Sequence, residues 1–242
     1  MRVPTRSPNP YWMRPVTERL SPTITALVIV NTLAFAFYAV VRQSRMFVDA
    51  HLALGPSVFQ GLELWQLFTS VFIHLDGVSF LFGMIGLWFV GATMEREVGR
   101  RRFLILFLLS AVLANLALAT VSWFLNDPLL TGGSNMGVLA LFMAFGRIYN
   151  RTPTRLLGNL VLEARTLTAI LVGFALLGDI FRGSMPALAG DVTALLAGYF
   201  LSGGRGAGLG ELWQRLRKRK PRRRFQLVEG GRQEDRRSPY LN

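Results

Sequence analysis

A serine that follows two glycines and opens an apolar run, as in Gly132-Gly133-Ser134, is placed for one of two tasks. Its hydroxyl can cap the helix that starts there, the commonest role for serine at such a position. Alternatively it can serve as a nucleophile, with the free N–H groups of the helix start available to a developing oxyanion. The second task needs a base within hydrogen-bond reach, and candidates are few. The chain has two histidines, His51 and His74, and no cysteine. Its only lysines, Lys218 and Lys220, lie in the tail, so a Ser–Lys dyad is not available. Asp191 interrupts another apolar run, but a carboxylate with an ordinary pKa of about 4 is a weak base. An acid in such a run is either paired and facing a cavity, or solvated at a boundary as a helix N-cap; both readings stand. Two histidines without an HExxH pattern, beside the scattered Asp49, Asp76 and Asp127, make no metal-ligand set, so neither metal nor cofactor is expected.

The elements that position these residues follow from apolar block lengths. The chain is 51% hydrophobic and only 17% charged, and its apolar residues come as long blocks. Each block approaches what is needed to cross about 30 Å of hydrocarbon. Six are legible: Ser21–Val41, Leu75–Met94, Phe103–Leu125, Ser134–Tyr149, Leu167–Phe181 and Ala187–Ser202. The first is too long for a signal-peptide core and reads as a retained helix. A less apolar stretch, Arg42–Glu63, separates the first two.

The net charge of +13 raises the question of nucleic acid, but much of it is concentrated after the last apolar block, so no specific nucleic-acid partner is expected. Arginines collect in the amino-terminal segment, in the loop around Arg96 and Arg100–Arg102, in the loop around Arg147–Arg165, and in the tail. The other three loops carry few. This alternation predicts that both termini lie on the cytoplasmic side. Residues 1–20 read as a cytoplasmic segment, 21–204 as the membrane domain, and 205–242 as a basic tail, partly disordered, that attracts anionic lipid headgroups.

The fourth block is short. About 15 residues of helix span ~22 Å, so with its Arg147 end anchored, Ser134 lies below the opposite surface, where non-helical backbone must line a protein or water cavity. Gly137, Ala140 and Ala144 on this block, and Gly190, Ala194, Gly198 and Ser202 on the sixth, have spacings that allow close helix approach. Their pairing brings Asp191 toward Ser134, with Ser134, Asn135 or Thr193 expected as its hydrogen-bond partner.

Four motifs in order then resemble the rhomboid superfamily over roughly residues 20–204. They are the run Leu64-Trp65-Gln66-Leu67-Phe68-Thr69-Ser70-Val71-Phe72-Ile73-His74, the loop Gly91-Ala92-Thr93-Met94-Glu95-Arg96-Glu97-Val98-Gly99 before three arginines, Gly132-Gly133-Ser134, and Asp191-Val-Thr-Ala-Leu-Leu-Ala-Gly198. The resemblance implies an all-α, polytopic bundle of six transmembrane helices and an intramembrane serine endopeptidase with Ser134 as nucleophile. The departures are equally specific. Asn135 replaces the glycine after the nucleophile, and Asp191 stands where active members carry the catalytic histidine. On span two, the histidine and asparagine that assist the oxyanion in many rhomboids fall at Ser79 and Gly83. His74 remains at a position that is usually structural.

The reading that follows is a rhomboid-like protein of the bacterial cytoplasmic membrane that does not cleave. What the resemblance implies is that it binds transmembrane helices of client membrane proteins, entering near spans two and five. The alternative is an active peptidase with an atypical base, His74 being the remaining possibility. A transporter is disfavoured by the scarcity of ionisable residues within the spans and the lack of an inverted repeat.

Overall fold

The computed structural model describes residues 21–128, 130–155 and 161–202. The amino-terminal segment and the basic tail, with the roles expected of them, lie outside the described residues. Span one is α1 (Pro22–Val40). It starts where the sequence signals a start: the Ser21 hydroxyl accepts from the Ile24 N–H at 3.2 Å and donates to the buried Glu95 carboxylate. The stretch expected to be a less apolar connection folds into three pieces, α2 (Arg42–His51), α3 (Ser57–Gln60) and α4 (Gln66–Thr69). One side chain organises them. Gln66, fully buried, donates to the Ala50 carbonyl, the Ser57 hydroxyl and Glu63, and accepts from the Gly55 N–H. Trp65 Nε1 adds a bond to the His51 carbonyl at 2.8 Å, and His51 Nδ1 meets the Glu63 carboxylate at 2.8 Å.

Span two runs from Gly77 to Val98 as α5 (Gly77–Gly86), a π-helical turn (Leu87–Gly91) and α6 (Ala92–Val98). Asp76 caps it, accepting from the Ser79 N–H at 2.8 Å. Gly99, at φ +83°, turns the chain into span three, α7 (Arg100–Leu125), a conformation that glycine adopts without strain. Span four is α8 (Asn135–Tyr149), and a two-stranded antiparallel hairpin not anticipated from the sequence follows, β1 (Pro153–Arg155) with β2 (Val161–Glu163). Span five is α9 (Ala164–Arg182) and span six α10 (Met185–Leu201), capped by Ser184 through the Ala187 N–H.

Four of these helices are long and apolar enough to cross a membrane, and α8 and α10 are shorter apolar helices. The protein is therefore an all-α integral membrane protein by length and composition. Span four is as short as expected, 15 residues. The core is a cluster centred on Leu87, Phe103, Phe107, Leu141 and Ala144, drawn from spans two, three and four, with Ile24 from span one and Leu167 from span five. Helices approach where a glycine removes the obstacle. A Cβ on Gly86 would collide with Val138, joining spans two and four, and one on Gly198 would collide with the Ala140 carbonyl, joining six and four. On the arginine-rich side, Arg147 stacks on the Tyr199 ring, 4.1 Å from its centroid, and donates to the Tyr199 carbonyl and the Ser202 hydroxyl.

The packing corrects one expectation about small residues. Ala140, Ala194 and Gly198 do meet between spans four and six. Gly137 does not share that face: its missing side chain makes room for the Phe107 ring of span three. A helix rich in small residues offers close approach on more than one face, so spacing alone does not assign Gly137 to one neighbour.

Candidate functional site

Ser134 is reached through a short non-helical strap. Thr131 pairs with Leu54 through two backbone hydrogen bonds of 2.8 and 3.0 Å. Gly132 fits against the Ile73 carbonyl, with no room there for a Cβ, and the Gly133 N–H donates to the Ser70 carbonyl at 2.8 Å. Gly133 has φ +123°, a conformation that side-chain-bearing residues rarely adopt. The N–H groups of Thr131 and Gly133 are thus satisfied by protein, as irregular chain at membrane depth requires. Ser70 is itself held by Asn115 of span three, Nδ2 to Oγ at 3.0 Å.

Ser134 then sits at the start of α8, fully buried, and its hydroxyl makes no capping bond. The simple cap reading does not describe it. What it meets is His74. The imidazole Nε2 accepts the Ser134 N–H at 3.2 Å and lies 3.3 Å from Ser134 Oγ. His74 is also fully buried, edge-on to Phe80. Gly83 and Ser79, where the resemblance led to polar helpers of the oxyanion, frame this contact. The space a Cβ on Gly83 would occupy lies 2.7 Å from Ser134 Oγ and 3.2 Å from His74 Nε2. Asn135 reaches Ser79, Nδ2 to Oγ at 2.5 Å.

His74 precedes span two. Burial pushes its imidazole below the ordinary value of 6.5, with the Phe72 carbonyl and Asp76 pulling the other way. The neutral ring is the form that can accept the Ser134 N–H, so geometry and protonation agree. The folded value being lowered, the unfolded chain binds the extra proton. His74 therefore contributes stability that is present above pH 6.5 and lost as pH falls through the folded value. Comparing the native chain with His74→Gln by thermal unfolding in detergent between about pH 7.5 and about pH 5, the native chain should lose more on acidification.

Asp191 is not where the helix-pairing argument led. It is buried on α10 but hydrogen-bonds to the carboxyl of Asp179 on α9, not to Ser134, Asn135 or Thr193. Thr193 instead donates to the Ala189 carbonyl at 2.8 Å. Nor is Asp191 an N-cap, a role filled by Ser184. Asp179, also buried, is held by Arg182 at 2.5 Å. Asp179 and Arg182 were not singled out from the sequence; the signal available was a second acid inside an apolar block, paired three residues on with an arginine. Sequence reasoning expected spans four and six to be coupled through Asp191. They are coupled through Gly198, Ala140 and Arg147, at the arginine-rich end of α10, whereas Asp191 lies about two turns nearer the start of that helix.

Chemically, the arrangement supplies a serine hydroxyl, one neutral imidazole in contact with it, and no carboxylate on that imidazole. Among the described residues there is no cluster of three or more residues able to hold a metal ion.

Comparison with known proteins agrees with this geometry at the level of the fold. Rhomboid protease GlpG of Enterobacter sp. (strain 638) is 26% identical over 99 residues, 41% of this chain and 35% of that protein. Rhomboid protease GluP of Bacillus subtilis (strain 168) is 23% identical over 189 residues, 76% of this chain and 35% of its own. The mitochondrial RHOMBOID-like protein 12 of Arabidopsis thaliana is 29% identical over 143 residues, 59% of this chain and 39% of its own. The matches thus span little more than a third of each relative's length. The family model for the rhomboid domain matches residues 61–206, more than half of the chain, and the protein belongs to the rhomboid family.

Proposed function

We propose that this chain is a rhomboid that does not cleave and that binds transmembrane helices of client membrane proteins within the bilayer. One observation carries the reading: the two residues at the nucleophile and base positions each face a different partner, Ser134 facing His74 and Asp191 facing Asp179. The Ser134 N–H, a natural donor to an oxyanion, is already engaged by His74. With no base on span six, the hydroxyl has no partner arranged as in a triad. We place the chain in a bacterial cytoplasmic membrane; the arginine distribution supports both termini inside, and the tail, residues 205–242, would add attraction to anionic headgroups.

A second reading rests on a specific distance. His74 Nε2 lies 3.3 Å from Ser134 Oγ, near enough for a Ser–His dyad once the Ser134 N–H lets go. The two readings separate in proteoliposomes containing a panel of labelled single-span helices. The binding reading expects energy transfer between the protein and a subset of helices, no cleavage product, and the same affinities for Ser134→Ala. Cleavage that disappears in both Ser134→Ala and His74→Ala would establish the dyad instead.

A further inference from the structure

Span three carries the chain from one boundary of the bilayer to the other. Between Arg102 and Trp123 the helix rises about 32 Å at 1.5 Å per residue, close to the hydrocarbon thickness of about 30 Å. With Arg100–Arg102 among the headgroups of the arginine-rich side, Trp123 falls at the opposite boundary, a depth at which tryptophan is enriched. The next two residues, Phe124 and Leu125, are 76% and 56% exposed and continue the apolar, lipid-facing surface.

Beside this end of α7 lies a pocket of about 280 Å³. The chain around α3 forms one wall with Gly55, Phe59 and Gln60, and the end of α7 forms the other with Trp123, Asn126 and Asp127. The Phe59 and Trp123 rings meet edge to face across it, with centroids 5.8 Å apart. Leu54, next to Gly55, is the residue that pairs with Thr131, so the pocket stands beside the strap that leads to Ser134.

The polar groups of the pocket are unengaged. Asp127 is fixed through its main chain: its N–H donates to the Ser122 carbonyl at 3.1 Å, and its carbonyl accepts the Ser122 hydroxyl at 2.7 Å. Its carboxylate meets no cation and no hydrogen-bond donor among the described residues. Two arginines of this end of the bundle are committed elsewhere, Arg45 to the Tyr38 and Ala39 carbonyls and Arg182 to Asp179. The side-chain amides of Gln60 and Asn126 are also without a partner among the described residues.

A carboxylate beside an aromatic face is suited to an ammonium group. The carboxylate supplies the opposite charge and accepts an N–H, and the indole face attracts the cation. The two amides can accept from the ammonium or donate to an adjoining phosphate. Depth decides which ammonium is offered. At the headgroup level, a phospholipid whose acyl chains lie on Phe124 and Leu125 brings its headgroup to this pocket. The volume falls just below the range of drug-sized sites, about 300–1,000 Å³, and suits a headgroup.

We propose that this pocket binds the primary ammonium headgroup of a zwitterionic phospholipid in the leaflet opposite the arginine-rich loops. The site stands independently of whether Ser134 cleaves anything.

Native mass spectrometry of the full chain in detergent tests it, with dimyristoyl phosphatidylethanolamine as probe and dimyristoyl phosphatidylglycerol as the lipid without an ammonium. Asp127→Asn should weaken phosphatidylethanolamine binding about tenfold, the scale of one hydrogen bond to a charged group. Trp123→Leu should weaken it about threefold, the scale of an exposed cation–π contact. Gln60→Leu, on the other wall, should weaken it as well without touching span three. All three should leave phosphatidylglycerol affinity and the unfolding temperature unchanged, since all three side chains are exposed. Ethanolamine alone, lacking acyl chains, should bind far more weakly than the lipid. Equal phosphatidylethanolamine affinity in the native chain and Asp127→Asn overturns the site, and so does an equal loss for both lipids. Ethanolamine binding as tightly as the lipid would assign the pocket to a soluble amine and overturn the lipid reading.

Discussion

Gly198→Ala should cost about 2–3 kcal/mol of stability, the upper range for overpacking a closed interface. The added methyl would enter the space of the Ala140 carbonyl and backbone, which belong to a helix and cannot turn aside as a flexible side chain would. Spans four and six would have to separate. The strain would reach the Arg147–Tyr199 stack, since Tyr199 is the next residue along span six. Thermal unfolding in detergent measures the loss. Gly173→Ala is the control: it makes the same substitution within a span, but nothing lies within 4 Å of the added atom. It should be neutral or stabilising by up to about 1 kcal/mol, because alanine is the better helix former. If both variants lost stability equally, the close approach of spans four and six would not be what the glycine provides.

His74→Ala should be about as damaging, about 3 kcal/mol, for a different reason. The fully buried imidazole is the acceptor for the Ser134 N–H, and an abandoned buried donor costs about 1–3 kcal/mol. The cavity left against Phe80 adds to that. His74→Gln, whose amide oxygen can take over the acceptor role, should recover part of the loss without restoring a titrating group. The pair of variants therefore separates the hydrogen bond from the packing. A His74→Ala chain with native stability would mean that the strap around Ser134 does not depend on the imidazole and that its hold on the Ser134 N–H contributes little.

Much of the architecture was legible in one dimension. Six apolar blocks, the arginine-rich loops, the shortness of span four and the Ser21 start are properties of residue order and of lengths set by the bilayer. Ser134 at a helix start behind two glycines was equally readable, and so was the poverty of bases, which is a matter of counting. The folded segments between spans one and two were less so. α2 and α4 are short, and their arrangement depends on Gln66, whose bonds reach as far as Ala50 and Gly55. The β1–β2 hairpin offered only three-residue strands.

What the sequence determined by itself was that a serine opens a helix behind two glycines in a six-span membrane protein, and that an aspartate stands on span six where the resemblance leads to a histidine. The tertiary structure decided which groups those positions actually meet. Ser134 and His74 are 60 residues apart, and Asp191 and Asp179 belong to different spans. Neither pairing follows from spacing, because each depends on which helices are neighbours at that depth of the bundle. Those neighbours are chosen by packing: Gly198 seats span six against span four, and Gly83 leaves space beside span two for His74 and Ser134 to meet.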